Sequence, residues 1–102
     1  MPELSPARRR ELRARAHKLD PVVLVGGSGP STQVLAEIDR SLKSHELIKV
    51  RVTGADRAMR EAILEEICRQ TGAQPVQHIW KILILFRETL ESPAPGKTRV
   101  ER

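Results

Sequence analysis

The spacing of apolar residues changes from segment to segment along the chain, and the changes predict seven elements. Leu12, Ala16 and Leu19 recur at helical spacing among arginines, which makes a narrow apolar stripe on a polar helix. Ser5-Pro6 ahead of them pairs a capping residue with proline at the first helical position, a strong helix start. Helix one is therefore expected from Ala7 to about Lys18, ended by Asp20-Pro21. Val22–Val25 is apolar at every position, the pattern of a strand buried on both faces.

Ser31 can cap a second helix from Thr32 to about Lys43, with Val34, Leu35, Ile38 and Leu42 on one face. Leu47–Val52 alternates, so Ile48, Val50 and Val52 point one way and Leu47, Lys49 and Arg51 the other. The second of those faces is either open and basic or partly covered by helix one. Asp56 can cap a third helix to about Gln70, in which Met59, Ile63 and Ile67 repeat every four residues and Gly72 supplies the C-terminal cap. Pro75–Ile79 and Ile82–Arg87 read as two strands of a hairpin joined by Trp80-Lys81, a pair with poor turn chemistry.

The order is α-β-α-β-α-β-β. Strand-helix-strand units favour parallel neighbours, and the last two strands can pair antiparallel. The expected fold is an α/β two-layer sandwich, a mixed four-stranded sheet with about three helices. Residues 1–88 form the domain. Pro93, Pro95 and Gly96 with mixed charges make residues 89–102 a mobile polar tail.

At 102 residues the chain is the size of one domain. Lys and Arg outnumber Asp and Glu by 18 to 13, a net charge of +5, which favours a polyanionic partner over an acidic small substrate. The excess is concentrated before residue 20, where Arg8, Arg9, Arg10, Arg13, Arg15 and Lys18 face only Glu3 and Glu11. The single Cys68 excludes a disulfide framework, and its helical setting marks it as a small core residue. No apolar run reaches the ~18 residues of a membrane span, so no membrane partner is expected. A cytoplasmic monomer is the expectation; Glu3, Glu11, Pro2 and Pro6 argue against reading the arginine-rich start as a transit peptide.

Candidate chemistry centres on Gly26-Gly27-Ser28-Gly29, which follows an apolar strand and precedes a helix. Glycines let backbone N–H groups approach a bulky ligand, and a helix N-terminus adds unpaired donors and partial positive charge. Phosphate suits such a place. The enzyme motifs that use similar glycines do not fit. A nucleophile elbow needs a glycine where Pro30 stands, a dinucleotide fingerprint needs one where Thr32 stands, and Gly96-Lys97-Thr98 lacks the upstream glycine of a Walker loop. His17, His45 and His78 show no metal spacing. No cofactor, metal or catalytic residue is expected.

Aromatic residues are scarce: Trp80 and Phe86 are the whole supply. Phe86 lies in an apolar strand and reads as core. Trp80 at a turn can stack on a base, but covering a hydrophobic edge is the favoured reading. Any RNA binding should therefore rest on backbone contacts and shape.

Arg15-Ala16-His17-Lys18-Leu19-Asp20-Pro21-Val22-Val23-Leu24-Val25-Gly26 leads into the glycine loop. Val34-Leu35-Ala36-Glu37-Ile38, His45-Glu46-Leu47-Ile48-Lys49-Val50, Ile67-Cys68-Arg69-Gln70-Thr71-Gly72-Ala73 and Val76-Gln77-His78-Ile79 follow in order. This ordered set resembles the YhbY-type RNA-binding proteins, the stand-alone form of the CRM domain (chloroplast RNA splicing and ribosome maturation), from helix one to Arg87. The resemblance implies a fold like the C-terminal domain of bacterial translation initiation factor three. It implies non-enzymatic binding of RNA, specifically ribosomal RNA in large-subunit precursors, through the GxxG loop Gly26, Gly27, Ser28 and Gly29 and adjacent basic surface. The strand lysine of its second motif is Lys49. Arg8, Arg9, Lys18 and Arg51 are the candidate basic surface. Pro30 departs from the family's branched apolar residue, and Trp80-Lys81 from its Gly-Lys turn. From the residues alone two other classes stay open: a small enzyme or binding module holding a phosphorylated metabolite at the loop, and an adaptor whose basic face meets an acidic protein. In an exposed loop, Asp at Gly27 and Ser28 should weaken RNA binding and spare the fold.

Overall fold

The computed structural model describes residues 4–88; the tail expected over residues 89–102 lies outside them. The elements run α1 (Pro6–Ala16), β1 (Pro21–Val25), α2 (Thr32–His45), β2 (Leu47–Val52), α3 (Arg57–Thr71), β3 (Gln74–Ile79) and β4 (Ile82–Phe86). Local chemistry sets the helix starts. The Ser5 hydroxyl accepts from the Arg8 N–H, Ser31 from Val34, and Asp56 from Met59, each satisfying a first-turn donor that no helical carbonyl can reach. Gly72 ends α3 at φ 78°, a left-handed conformation that suits glycine.

The strands form one mixed sheet in the order β1-β2-β4-β3. β1 and β2 are parallel, while β4 runs antiparallel to both β2 and β3. β3 is thus parallel to β2, as a strand-helix-strand unit requires, but β4 is inserted between them. The outer strands carry Pro21 and Pro75, each beside a register irregularity. Proline lacks an N–H to donate and is tolerated at sheet edges, where it also discourages pairing with another chain.

The main core lies between α2, α3 and one sheet face, built on Ile38, Leu42, Ile67, Val25, Val50 and Leu83 among others. This is the expected two-layer packing. α1 adds a partial cover on the opposite face, where Leu12 and Ala16 meet Leu47, Val76, Ile84 and Phe86. The strand buried on both faces is β4, with Leu83 to Phe86 all buried. β1 departs from that expectation: Val22 is 48% and Leu24 65% exposed. An apolar run shows that a strand is hydrophobic, not how far a neighbouring helix extends over it, and α1 leaves this edge open.

Two polar clusters tie the helices to the sheet. His78, whose side chain is 5% exposed, places Nδ1 2.6 Å from Glu61 Oε2. Arg60 Nε donates to His78 Nε2 at 3.1 Å, so Nε2 carries the lone pair and Nδ1 the hydrogen. At the other end of α3, Arg87 Nη1 donates to Asp39 Oδ1 at 2.7 Å and to the Thr71 carbonyl at 2.6 Å. One guanidinium thereby joins β4's end to α2 and α3. It also holds the Asp39 carboxyl below the usual 3.8, chiefly through that hydrogen bond.

A group with a depressed folded pKa stabilises above its unfolded value and loses that contribution as pH falls through the folded one. Arg87→Gln should therefore cost about 1–3 kcal/mol at neutral pH, the cost of leaving partly buried acceptors unmet. The gap to wild type should begin to narrow as pH falls through about 4, the unfolded carboxylate value, and keep narrowing toward the lower value at which Asp39 protonates in the folded wild type. Urea unfolding at pH 7 and pH 3 measures this. A gap that stays constant would remove Asp39 from the account.

Among the described residues, two that are not glycine take positive φ, Glu46 at 66° and Trp80 at 55°. Such backbone costs a side chain about 1–2 kcal/mol. The two-residue β3–β4 turn forms despite its chemistry, with the Lys81 carbonyl accepting from the Val52 N–H at 2.7 Å.

Candidate nucleic-acid interface

The glycine loop is a tight turn at the C-terminal end of β1, closed by the Gly29 N–H donating to the Gly26 carbonyl at 3.0 Å. Gly26 has open space where a Cβ would stand; Gly29, at φ 104°, has open space as well. Gly27 is different. A Cβ there would lie 2.1 Å from the Gly54 carbonyl oxygen. The turn after β1 rests directly on the turn after β2, and Thr53 N–H donates to the Val25 carbonyl at 2.9 Å beside it. The expectation that Asp at Gly27 spares the fold is therefore overturned, because any side chain there strikes backbone. Gly26 and Ser28, both exposed, remain free to vary.

Three connections meet at this end of the sheet. The glycine turn opens α2, the Thr53–Asp56 connection opens α3, and the β3–β4 turn is held to Val52. The C-terminal ends of parallel strands are where α/β sheets commonly bind ligands, and the first-turn N–H groups of Thr32 and Gln33 have no helical acceptor. On α3's side of the loop is a groove lined by Met59, Ala62, Ile63 and Glu66. The Glu66 carboxyl is held below its usual range by hydrogen bonds from the Gln70 amide and from Arg69. A charged carboxylate there opposes an anion in the groove, so an anion is favoured on the outer side of the turn.

Lys49 and Arg51 point to the α1 side of the sheet, as the alternation predicts. Arg51 is exposed and pairs with Leu24, one residue before the end of β1. Lys49 is half-buried in a cleft of about 140 Å³ with a floor of Ile79, Ile82 and Ile84, and with Arg13 and His17 of α1 as further walls. Arg13 and His17 were not among the sequence candidates. Their spacing of four residues places them on one helix face, but only the crossing of α1 over the sheet brings them to Lys49.

The remaining candidates lie elsewhere. Arg8 stacks 5.1 Å from the Phe86 ring centroid and pairs with Glu11 at 2.8 Å. Phe86 is opposite Leu47, at the end of β2 far from the glycine turn. Arg9 follows in the same first turn of α1. Lys18 is exposed before β1, a strand's length from the loop that follows it. Trp80, favoured to cover a hydrophobic edge, is instead 82% exposed.

Among the described residues no group of His, Cys, Asp and Glu is placed to hold a metal ion. No helix among them is long and apolar enough to cross a membrane. Burial pushes the Cys68 thiol up to about 11, so it stays protonated and poorly nucleophilic at neutral pH.

The chain is 47% identical over 92 residues to an RNA-binding protein of Haemophilus influenzae, covering 90% of this chain and 93% of that one. It is 37% identical over 94 residues to a probable RNA-binding protein of Pseudomonas aeruginosa, covering 92% and 88%. Its fold matches the solution structure of a hypothetical Staphylococcus aureus protein considered a candidate RNA binder. That match has a TM-score of 0.77 and 30% identity, over 84% of this chain and 90% of that one. The model of the CRS1/YhbY (CRM) domain matches residues 4–87, nearly all of the described residues, and the chain belongs to that family.

Proposed function

We propose that this protein binds RNA without catalysing a reaction, gripping the backbone at the glycine turn and along the basic α1 side of the sheet. The observation that carries the reading is the joint placement of the turn and the cations. The Gly26–Gly29 turn, exposed at Gly26 and Ser28, the N-terminus of α2 and Arg51 share one end of the sheet, and the cleft of Lys49, Arg13 and His17 continues from it along β2. Family membership and the names of the relatives support RNA as the polyanion. The resemblance to YhbY-type proteins further supports ribosomal RNA in large-subunit precursors; the proposal places the protein in the cytoplasm as a monomer that is released as assembly proceeds. Partly folded ribosomal RNA offers backbone that becomes covered as proteins dock, and a binder with few base contacts selects it by shape and access.

If about four to six phosphates are neutralised, log affinity should fall with log salt at a slope of roughly −3 to −5. Filter binding across a salt series measures it, and a flat response excludes the electrostatic grip. Lys49→Gln with Arg51→Gln should reduce the slope by about one for each phosphate that is no longer neutralised; an unchanged slope would show both to be solvated bystanders. For the assembly role, sucrose gradients of lysate should show the protein with large-subunit precursors and not with mature ribosomes. A peak confined to the top of a low-salt gradient would count against it.

A further inference from the structure

We propose that Trp80 is a stacking platform for one unpaired RNA base, placed beside the backbone grip and adding a preference for single-stranded RNA over duplex. This rests on the RNA-binding reading above and adds to it a contact that needs an exposed base.

Three observations converge on Trp80. It is 82% exposed, so its indole supports no core. It stands at φ 55° in a two-residue turn, a conformation that glycine takes freely and a bulky residue takes at a cost. Backbone held in a disfavoured region, with no compensating burial of the side chain that strains it, is the pattern of a functional position. Thirdly, its neighbours suit a nucleic acid. Ile79, the preceding residue, forms part of the floor of the cleft walled by Lys49, Arg13 and His17. Lys81, the following residue, is exposed and its carbonyl accepts from Val52. The residues after Val52, Thr53 and Gly54, carry the glycine turn.

The sheet order sets the distance. β1 and β4 both flank β2, so the turn that opens β4 lies about 10 Å, two strand spacings, from the end of β1. A strand whose phosphates lie along the glycine turn and the cations can thus turn a nearby base onto the indole. Base stacking on an aromatic ring tolerates every base, so the contact would not confer sequence preference. In a duplex the base faces are already stacked on their neighbours, so a duplex gains only the backbone contacts.

Trp80 is the only tryptophan in the sequence, and its fluorescence reports this site alone. Wild type should be titrated with a single-stranded oligouridylate and with an RNA duplex of equal length, followed by both fluorescence and filter binding. Single-stranded RNA should quench the emission strongly and duplex weakly. Trp80→Gly should keep or raise the melting temperature, because glycine suits the turn. It should bind the single strand about 5- to 100-fold more weakly and the duplex as wild type does. Trp80→Phe should retain most of the single-strand affinity. Emission that does not respond at saturating RNA would overturn the proposal. So would a Trp80→Gly affinity within twofold of wild type, which would leave the exposed indole as an anchor for a protein partner. If wild type binds neither RNA, the RNA-binding reading falls as well; if both RNAs bind and Trp80→Gly changes nothing, only the stacking proposal falls.

Discussion

A protein carrying Gly26→Asp and Ser28→Asp should bind RNA at least 30-fold more weakly than wild type while melting at nearly the same temperature. Both positions are exposed on the outer side of the turn, and a side chain at Gly26 meets no neighbour that must move. The two carboxylates would stand where phosphate is expected to lie. Two unit charges 4 Å apart repel by about 1 kcal/mol in water and by more near a protein surface. Two such charges give at least about 2 kcal/mol, which corresponds to about 30-fold in affinity. The fold should not suffer, since acidic residues next to a helix N-terminus are favourable. The melting temperature should stay within about 4 °C. Affinity and melting should be measured on one preparation. Equal loss of both would make the turn a folding element, and unchanged affinity would move the RNA to another surface.

The neighbouring residue should lose stability as well as affinity. Gly27→Ala adds one methyl group and no charge, yet its Cβ would be 2.1 Å from the Gly54 oxygen and 2.7 Å from the Gly54 carbonyl carbon. Both are backbone atoms, so no rotamer change relieves the contact and the two turns must separate. Overpacking of this kind costs about 1–3 kcal/mol, or about 5–20 °C in melting temperature for a domain of this size. RNA affinity should fall too, because the turn would shift away from Thr53. Wild-type melting for Gly27→Ala would show that the two turns do not touch in solution. The two variants together separate the roles proposed within one four-residue motif: Gly26 and Ser28 are exposed and assigned to the RNA, and Gly27 packs against Gly54.

Much of the architecture was legible in local chemistry. Ser5, Ser31, Asp56 and Gly72 mark helix ends where the structure has them, because capping is a contact between residues three or four apart and needs no tertiary context. The alternation of Leu47–Val52 assigned Lys49 and Arg51 to one face for the same reason: in a strand, direction follows from parity. The glycine loop and the basic excess near the N-terminus point to a polyanion without reference to the fold.

The rest came from how the elements pack. Whether β1's second face is covered depends on where α1 crosses the sheet, a property of packing that an apolar run does not encode. Arg8 and Arg9 counted as basic surface in the sequence, but the crossing of α1 places Arg8 over Phe86, at the end of the sheet away from the glycine turn. The same crossing brings Arg13 and His17 to Lys49. Gly27 looks like a ligand-facing glycine until Gly54, 27 residues later in the chain, is seen against it, since only the parallel pairing of β1 and β2 sets their two turns side by side. Trp80 looked like a cover for an apolar edge because tryptophan usually buries its surface. The sheet order instead leaves it exposed at the end where the glycine turn lies. The elements, their caps and the charge depend on neighbours along the chain, and the order of residues was enough to define them. Which glycine packs against protein and which basic residues share a cleft depended on contacts between distant residues, and only the fold supplied them.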